Sequence, residues 1–506
     1  MRLKRWRGSE VAGVLGAQDV LLLAAVVALP WFWGGVGLDA YRTAAAIVGL
    51  AAGWALMRQG ASGLGLGRGA FWLIPAFLLG AWAFAQTVPM PRAWVSSLSP
   101  KAATLQAEAF GPEGLDGAAW LRQIEADARA LVPEAAGAVA GSADVLALGA
   151  DAPSPPLRFT LSLLPAVTLE RAFWYTALLL AFLLVHRQTA NKGRAATYRA
   201  TLFVSFGALA VVGILNRVTA PTRLLWLRDA PAEVHSFGPY VNPSHFGGAM
   251  ELAAPWLLGY GLAATVHAGR PDRKRPGGVL ALLGAGVCAA AAVLAASKMA
   301  AATIGLAYLV LIAVAIAGGR GRKRIVLIAV TAAAALLLCV VAIAGPLRGR
   351  VAEFAATHSG GLSLSTRGLA WTAGLRLAED YPWTGSGFGA LGDVLPAYLP
   401  RGEGGYWSQL HNDYLELYVA GGAVAAVLAA CLTVTFGWRV WRVWRVARSE
   451  AASGRLLTML GLILGLVAIA VHEFVDFNLQ VPANALLFVV MAAMCVSPLA
   501  RSAEGS

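Results

Sequence analysis

The chain is a succession of unbroken apolar runs of roughly 17–25 residues, the length a helix needs to cross a bilayer. About twelve can be marked, near 19–36, 41–57, 70–88, 168–186, 200–216, 246–266, 278–296, 299–317, 325–345, 413–437, 456–472 and 482–499. In hydrocarbon every backbone N–H and C=O must be satisfied within the protein, so such runs admit helices and little else. An all-α polytopic membrane protein is expected, with about twelve transmembrane helices and a long loop between spans 9 and 10. Of 506 residues, 58% are hydrophobic and 13% charged. That is about half the charge of a soluble protein.

The net charge of +13 would suggest nucleic acid in a soluble protein. Here the distribution argues for orientation instead, and no nucleic-acid partner is expected. With the N-terminus inside, more than half of the 40 basic residues fall in short loops on one side, where Lys and Arg fix topology. Among them are Arg58, Arg187, Lys192, Arg194, Arg199, Arg439, Arg442 and Arg455. Both termini are thereby expected on the cytoplasmic side. The basic start, MRLKRWRGSE, resembles a signal peptide. The following run lacks a small-x-small cleavage site and carries Trp31, Phe32 and Trp33, so it reads as a retained first helix. The cysteines Cys288, Cys339, Cys431 and Cys495 lie inside apolar runs without metal-ligand spacing.

The chain divides into 1–88 with three spans, a first outer loop at 89–167, six central spans at 168–345, an outer loop at 346–412 and three spans at 413–506. The first loop is Ala/Gly-rich and contains an expected amphipathic helix at 118–132. Loops longer than about 15 residues usually carry function or are disordered. The loop at 346–412 has Trp, Tyr, Phe and Leu at helical spacing and is expected to be ordered and catalytic. On the inner side, WRVWRVWR at 438–445 admits a lipid-headgroup site or an interfacial anchor with snorkelling Arg.

Chemistry is expected in the polar island 363–418. Its TRGLAWTAGLRLAED segment reads as a helix with Arg367, Trp371 and Leu375 on one face. Tyr381-Pro382 ends it, and the glycines of GSGFG permit a tight turn. An Arg beside a bilayer is a good phosphate ligand, because its planar fork pairs two oxygens; the alternative is a solvated Arg. His411 follows at the mouth of span ten, with Asn412, Asp413, Tyr414 and Glu416 beyond it. It suits a general base, or an interfacial His bonded to a loop carbonyl. Ser297-Lys298 forms a tight outer hairpin at membrane depth, where a cation must pair or snorkel. Asn242 and His245 precede span six. His472, Glu473 and Asp476 lie in the last outer loop, and Arg217, Arg223 and Arg228 add charge to the second. There is no H-E-x-x-H, no Asp-x-Asp, no P-loop and no G-x-G-x-x-G in a strand–helix context. Neither a metal nor a cofactor is expected.

Together these pieces resemble the O-antigen ligase and polymerase superfamily of bacterial membrane glycosyltransferases. The pieces run in order: Gln86, Pro89, Pro91 and Ser99-Pro100; LSLLPAVT; FGPYVNPSHFGG; the Ser297-Lys298 pair; STRGLAW; YPWTGSGFG; HNDYLEL; and DFNLQVPANA. The resemblance implies transfer of a glycan from undecaprenyl diphosphate to an acceptor hydroxyl on a glycan, a lipid A core or a protein. Transfer would take place at the periplasmic face of the bacterial inner membrane, with inversion and without metal. Lipopolysaccharide or exopolysaccharide biosynthesis would be the setting, and membrane lipids the surroundings. The family's essential loop arginine corresponds to Arg367 and its essential histidine to His411. A second arginine corresponds to Lys298, which keeps the charge but loses the bidentate fork. Arg217, Asn242, Trp371, Asn412 and Tyr414 would contact substrate, with Arg217 an alternative second cation. The competing function is a twelve-span transporter of polysaccharide or lipid-linked glycan. Carriers place ionisable residues or broken helices near the midplane, whereas these spans read as almost free of charge.

Overall fold

The computed structural model describes residues 15–66, 70–110, 158–229, 236–266, 276–317, 364–400, 407–449 and 453–497. The helices are α1 (Ala17–Ala28), α2 (Leu38–Gln59), α3 (Ile74–Ala85), α4 (Arg92–Leu98), α5 (Pro100–Phe110), α6 (Pro165–Gln188), α7 (Lys192–Thr219) and α8 (Pro243–Val266). They continue with α9 (Pro276–Leu294), α10 (Lys298–Ala317), α11 (Leu364–Asp380), α12 (Leu391–Val394), α13 (Asp413–Ser449), α14 (Ser453–His472) and α15 (Pro482–Val496). Among the described residues, seven segments are long and apolar enough to cross a membrane: Leu38–Leu64, Pro165–Gln188, Lys192–Thr219, Gly277–Leu294, Lys298–Ala317, Asp413–Arg448 and Arg455–His472. Three shorter apolar helices, Ala17–Trp31, Phe71–Ala85 and Pro482–Val496, accompany them. The fold is all-α and polytopic. The span expected at 325–345 and the helix expected at 118–132 lie outside the described residues.

Small residues set how closely the helices pack. A Cβ on Gly461 of α14 would fall 2.4 Å from the carbonyl oxygen of Pro255 in α8, and one on Gly259 2.3 Å from that of Leu457. Backbone therefore meets backbone along α8 and α14, the close approach on which membrane helices rely when hydrophobicity cannot hold them together. Outward faces carry Val204, Leu306, Leu309 and Val434, each more than 60% exposed. Such a surface is stable only against lipid tails.

One end of the bundle wears a cap. The two ends of the first long loop pair as short antiparallel strands, Met90 opposite Phe159 and Pro91 opposite Arg158. They pack with α4, α5, α11 and α12 around a second apolar core, which holds Val95, Phe159, Leu377, Tyr381, Leu395 and Leu410. The opposite end carries the basic turns: Arg187 reaches from α6 to the Ser62 carbonyl. Along WRVWRVWR, which continues α13 without a break, Arg442 lies over Trp438 and Arg445 over Trp441.

Candidate active site

The site is built on a broken helix. α13 departs from helical geometry at Gly422, φ 66° and ψ −169°, a region open essentially to glycine alone. The piece beyond the break is about 40 Å long at 1.5 Å per residue, enough to span. The break sets residues 413–421 apart as a separate two-turn helix at the start of the segment expected as span ten. The segment 381–387 fills the break. Ala423 N–H donates to Pro382 O (2.8 Å), Ser386 N–H to Val419 O (2.9 Å) and Gly387 N–H to Ala420 O (3.0 Å). Gln86 Nε2 donates to the carbonyls of Thr384 and Ala420, and Trp82 Nε1 to that of Gly421. The carbonyls of Val419, Ala420 and Gly421 and the amide of Ala423, all beside the break, thus find protein partners, as an apolar setting demands. The Pro- and Gly-rich turn of the sequence is the plug in this break. It positions the short helix that carries the histidine box.

His411 sits just before that helix in a left-handed conformation, φ 52°. For a residue with a Cβ this costs about 1–3 kcal/mol and persists only where its surroundings enforce it. They do so on both sides. Glu416 Oε2 accepts from Leu410 N–H (3.0 Å), and Trp371 Nε1 donates to Leu410 O (2.8 Å). Asn412 Oδ1 caps the helix through Leu415 N–H, and Asp413 N–H donates to Glu473 O. The ring packs edge-on against Phe477, with centroids 4.6 Å apart.

Three histidines converge on Asp476. His411 Nδ1 and His245 Nε2 each lie 3.5 Å from Oδ1, and His472 Nε2 lies 3.5 Å from Oδ2. These are ion-pair distances; the His411 nitrogen has no formed hydrogen bond. Catalytic contacts often tighten only when substrate is bound. Burial pushes Asp476 upward, but the three facing imidazoles of His245, His411 and His472 outweigh it and hold the carboxyl well below the usual range. Its contribution to stability is present above the ordinary carboxylate pKa and is lost only as pH falls through this lowered value. Behind it, His472 Nδ1 lies 3.0 Å from Glu251 Oε2, and Glu251 Oε1 accepts from Thr303 Oγ1. Among the described residues, no group of three or more His, Cys, Asp and Glu is arranged to hold a metal ion.

Glu473 behaves in the opposite way. Burial first, then the neighbouring Asp413, pushes its pKa up to about 11. One oxygen of each carboxyl would be an orphaned acceptor if both were ionised; a proton on Glu473, donated to Asp413, satisfies the pair. Oε2 accepts from Asn478 N–H (2.7 Å). This stability is complete below the ordinary glutamate range and is lost as pH rises toward about 11. Glu473→Gln, which keeps both the acceptor and a donor, is expected to fold normally. It should also flatten the decline in thermal stability between about pH 6 and 9. A variant melting with the wild-type pH slope would remove Glu473 as its source.

The other expected residues fall into three groups. Arg367 and Trp371 join His411 directly: Trp371 bonds the carbonyl before it, and Arg367 lies one turn back on the same face. Arg367 Nε is buried with no acceptor in the protein. Lys298, Asn242 and Arg217 lie on segments that adjoin the start of α8. Ser297 packs on Gly247, Asn242 caps α8 through Ser244 N–H, and Arg217 lies one turn beyond Gly213, which abuts Phe246. Lys298 itself is exposed at the first position of α10. Tyr414 turns away: its hydroxyl donates to Ala470 O and its ring lies against Phe474. The reading of the spans as almost free of charge overlooked Glu251, a fully buried acid inside α8. A single acid in an apolar run was the signal.

Residues 283–430 match the family model described as O-antigen ligase. Over this region the chain is similar to the O-antigen ligase family, which supports the resemblance to the O-antigen ligase and polymerase superfamily. No curated protein matches the chain. The matched region holds Lys298, Arg367, Trp371, His411, Asn412 and Tyr414, and ends before Asp476. The match supports a membrane glycosyltransferase-type function in general terms, with lipid-linked glycans as the substrate class that family implies.

Proposed function

We propose that this protein is a member of the O-antigen ligase superfamily and moves a glycan from undecaprenyl diphosphate to an acceptor hydroxyl, by a single inverting displacement without a metal. The supporting observation is the pairing of a carboxylate-facing His411 with an Arg367 whose Nε lacks an acceptor, one turn from the Trp371 contact that docks it beside that histidine. His411 Nδ1 faces Asp476, which leaves Nε2 for the acceptor. As that nitrogen takes the hydroxyl proton, the oxygen attacks the anomeric carbon. The bond from that carbon to the phosphate oxygen breaks, and the diphosphate leaves with the electron pair. Fixed cations aimed at the developing charge lower the barrier most in a dry site. Arg367 and Lys298 would serve here, with Arg217 the alternative second cation. The basic turns at the far end fit the cytoplasm, which supports a cap and site on the periplasmic side of the inner membrane. The energy then arrives with the lipid diphosphate rather than with a nucleotide.

Purified protein in proteoliposomes, given lipid-linked glycan and acceptor, tests this reading. Arg367→Ala should lower transfer about 10²–10³-fold and weaken donor binding, with Arg367→Lys partly restoring both. Lys298→Arg should remain active while Lys298→Ala loses activity. Glycan movement across the bilayer with no product would overturn the assignment. Deletion of the gene separates ligase from polymerase. Single-repeat lipopolysaccharide marks a polymerase, and uncapped core with accumulated lipid-linked polymer marks a ligase. Lost exopolysaccharide with unchanged lipopolysaccharide marks an exopolysaccharide polymerase.

A further inference from the structure

At the end of the bundle opposite His411, a cavity of about 370 Å³ opens between the starts of α7 and α14 and the end of α15. Its size suits a small ligand or part of a lipid. Lys192, Arg199 and Arg455 line it, and among the described residues no carboxylate does. Its inner wall is apolar, formed by Trp256, Met459 and Leu462. Trp256 is buried, and its indole N–H has no acceptor in the protein. Cations gathered without acids favour an anion, and the apolar wall below them favours hydrocarbon. The charges sit at or near the ends of membrane-spanning helices, where headgroups lie. Val443, from the WRVWRVWR segment, is part of the same lining.

We propose that this cavity is a binding site for an anionic phospholipid, its phosphate held by Lys192 and Arg199 and its acyl chain lying along Met459 and Leu462. A free anion would use the cations and leave the apolar wall uncovered; a zwitterionic lipid would use the wall and bring its own cation to the three already there. Neither the catalytic reading nor the side on which transfer occurs enters this argument. A cation near anionic headgroups changes affinity about fivefold.

Native mass spectrometry of the full chain in detergent, with added phosphatidylglycerol or phosphatidylcholine, provides the test. The wild type should retain phosphatidylglycerol at least fivefold better. The Lys192→Gln/Arg199→Gln double variant should lose most of that preference. Lys192→Glu, at an exposed position, keeps the fold and should alone lower retention at least threefold, so the test survives a misfolded double variant. Equal retention of the two lipids, or a preference unchanged in Lys192→Glu, would overturn the proposal. So would inorganic phosphate at millimolar concentration raising the melting temperature as much as phosphatidylglycerol, the mark of a free-anion site.

Discussion

Replacing His411 with alanine should reduce glycan transfer by ~10²–10⁴-fold, the usual contribution of a general base, while lipid-linked donor binds nearly as before. The separation follows from the two halves of the site. Arg367 carries the unpaired Nε suited to a diphosphate, whereas His411 faces a carboxylate. Single-turnover transfer and equilibrium donor binding measure the two quantities apart. Equal loss of both would sink the assignment of His411 as base. Asp476→Asn provides the companion measurement. It removes the charge opposite three histidines while preserving size, so transfer should fall, and the pH dependence of what remains should change. An Asn variant with wild-type rate and pH profile would show that Asp476 does not orient the base.

The second large effect is structural. Gly422→Ala should destabilise the chain by several kcal/mol or displace the histidine box. The backbone conformation alone costs about 1–3 kcal/mol for a residue with a Cβ. The new Cβ would also lie 2.2 Å from the Trp383 carbonyl oxygen, a main-chain atom with no rotamer in which to escape. Gly437→Ala, in the same helix with nothing within 4 Å of its Cβ, should be neutral or slightly stabilising. Thermal unfolding of both variants, with the transfer assay, decides the matter. A Gly422→Ala protein that melts and works like Gly437→Ala would show that the break is not required.

Local features of this site were legible in the sequence, and long-range ones were not. α11 ends at Asp380, just before Tyr381-Pro382, because proline disfavours helix at the residue before it. The spacing of Arg367 and Trp371 placed them on one face, and Trp371 uses that face to reach Leu410. The Ser297-Lys298 hairpin lies where two apolar runs left no room for a loop. The break at Gly422 was hidden, since Gly-Gly inside an apolar run reads equally as close helix packing. Its stability depends on residues 381–387, some 35–40 positions earlier, which no local pattern encodes. Asp476 looked like one polar residue among several in a short loop. Its meaning comes from His245 and His411, which approach it from two other segments. Asn242, Asn412 and Tyr414, expected to contact substrate, all have hydrogen-bonding groups committed within the protein.

The matched region ends at residue 430, while the carboxylate facing His411 arrives from residue 476. A chimera that grafts residues 283–430 onto the remaining helices of another relative would import the base and inherit whatever anion its host offers. Activity of such grafts should therefore follow the host's last two helices, and a silent graft should be revived by exchanging residues 453–497 with it. For this fold the smallest transplantable catalytic unit is larger than its recognisable signature.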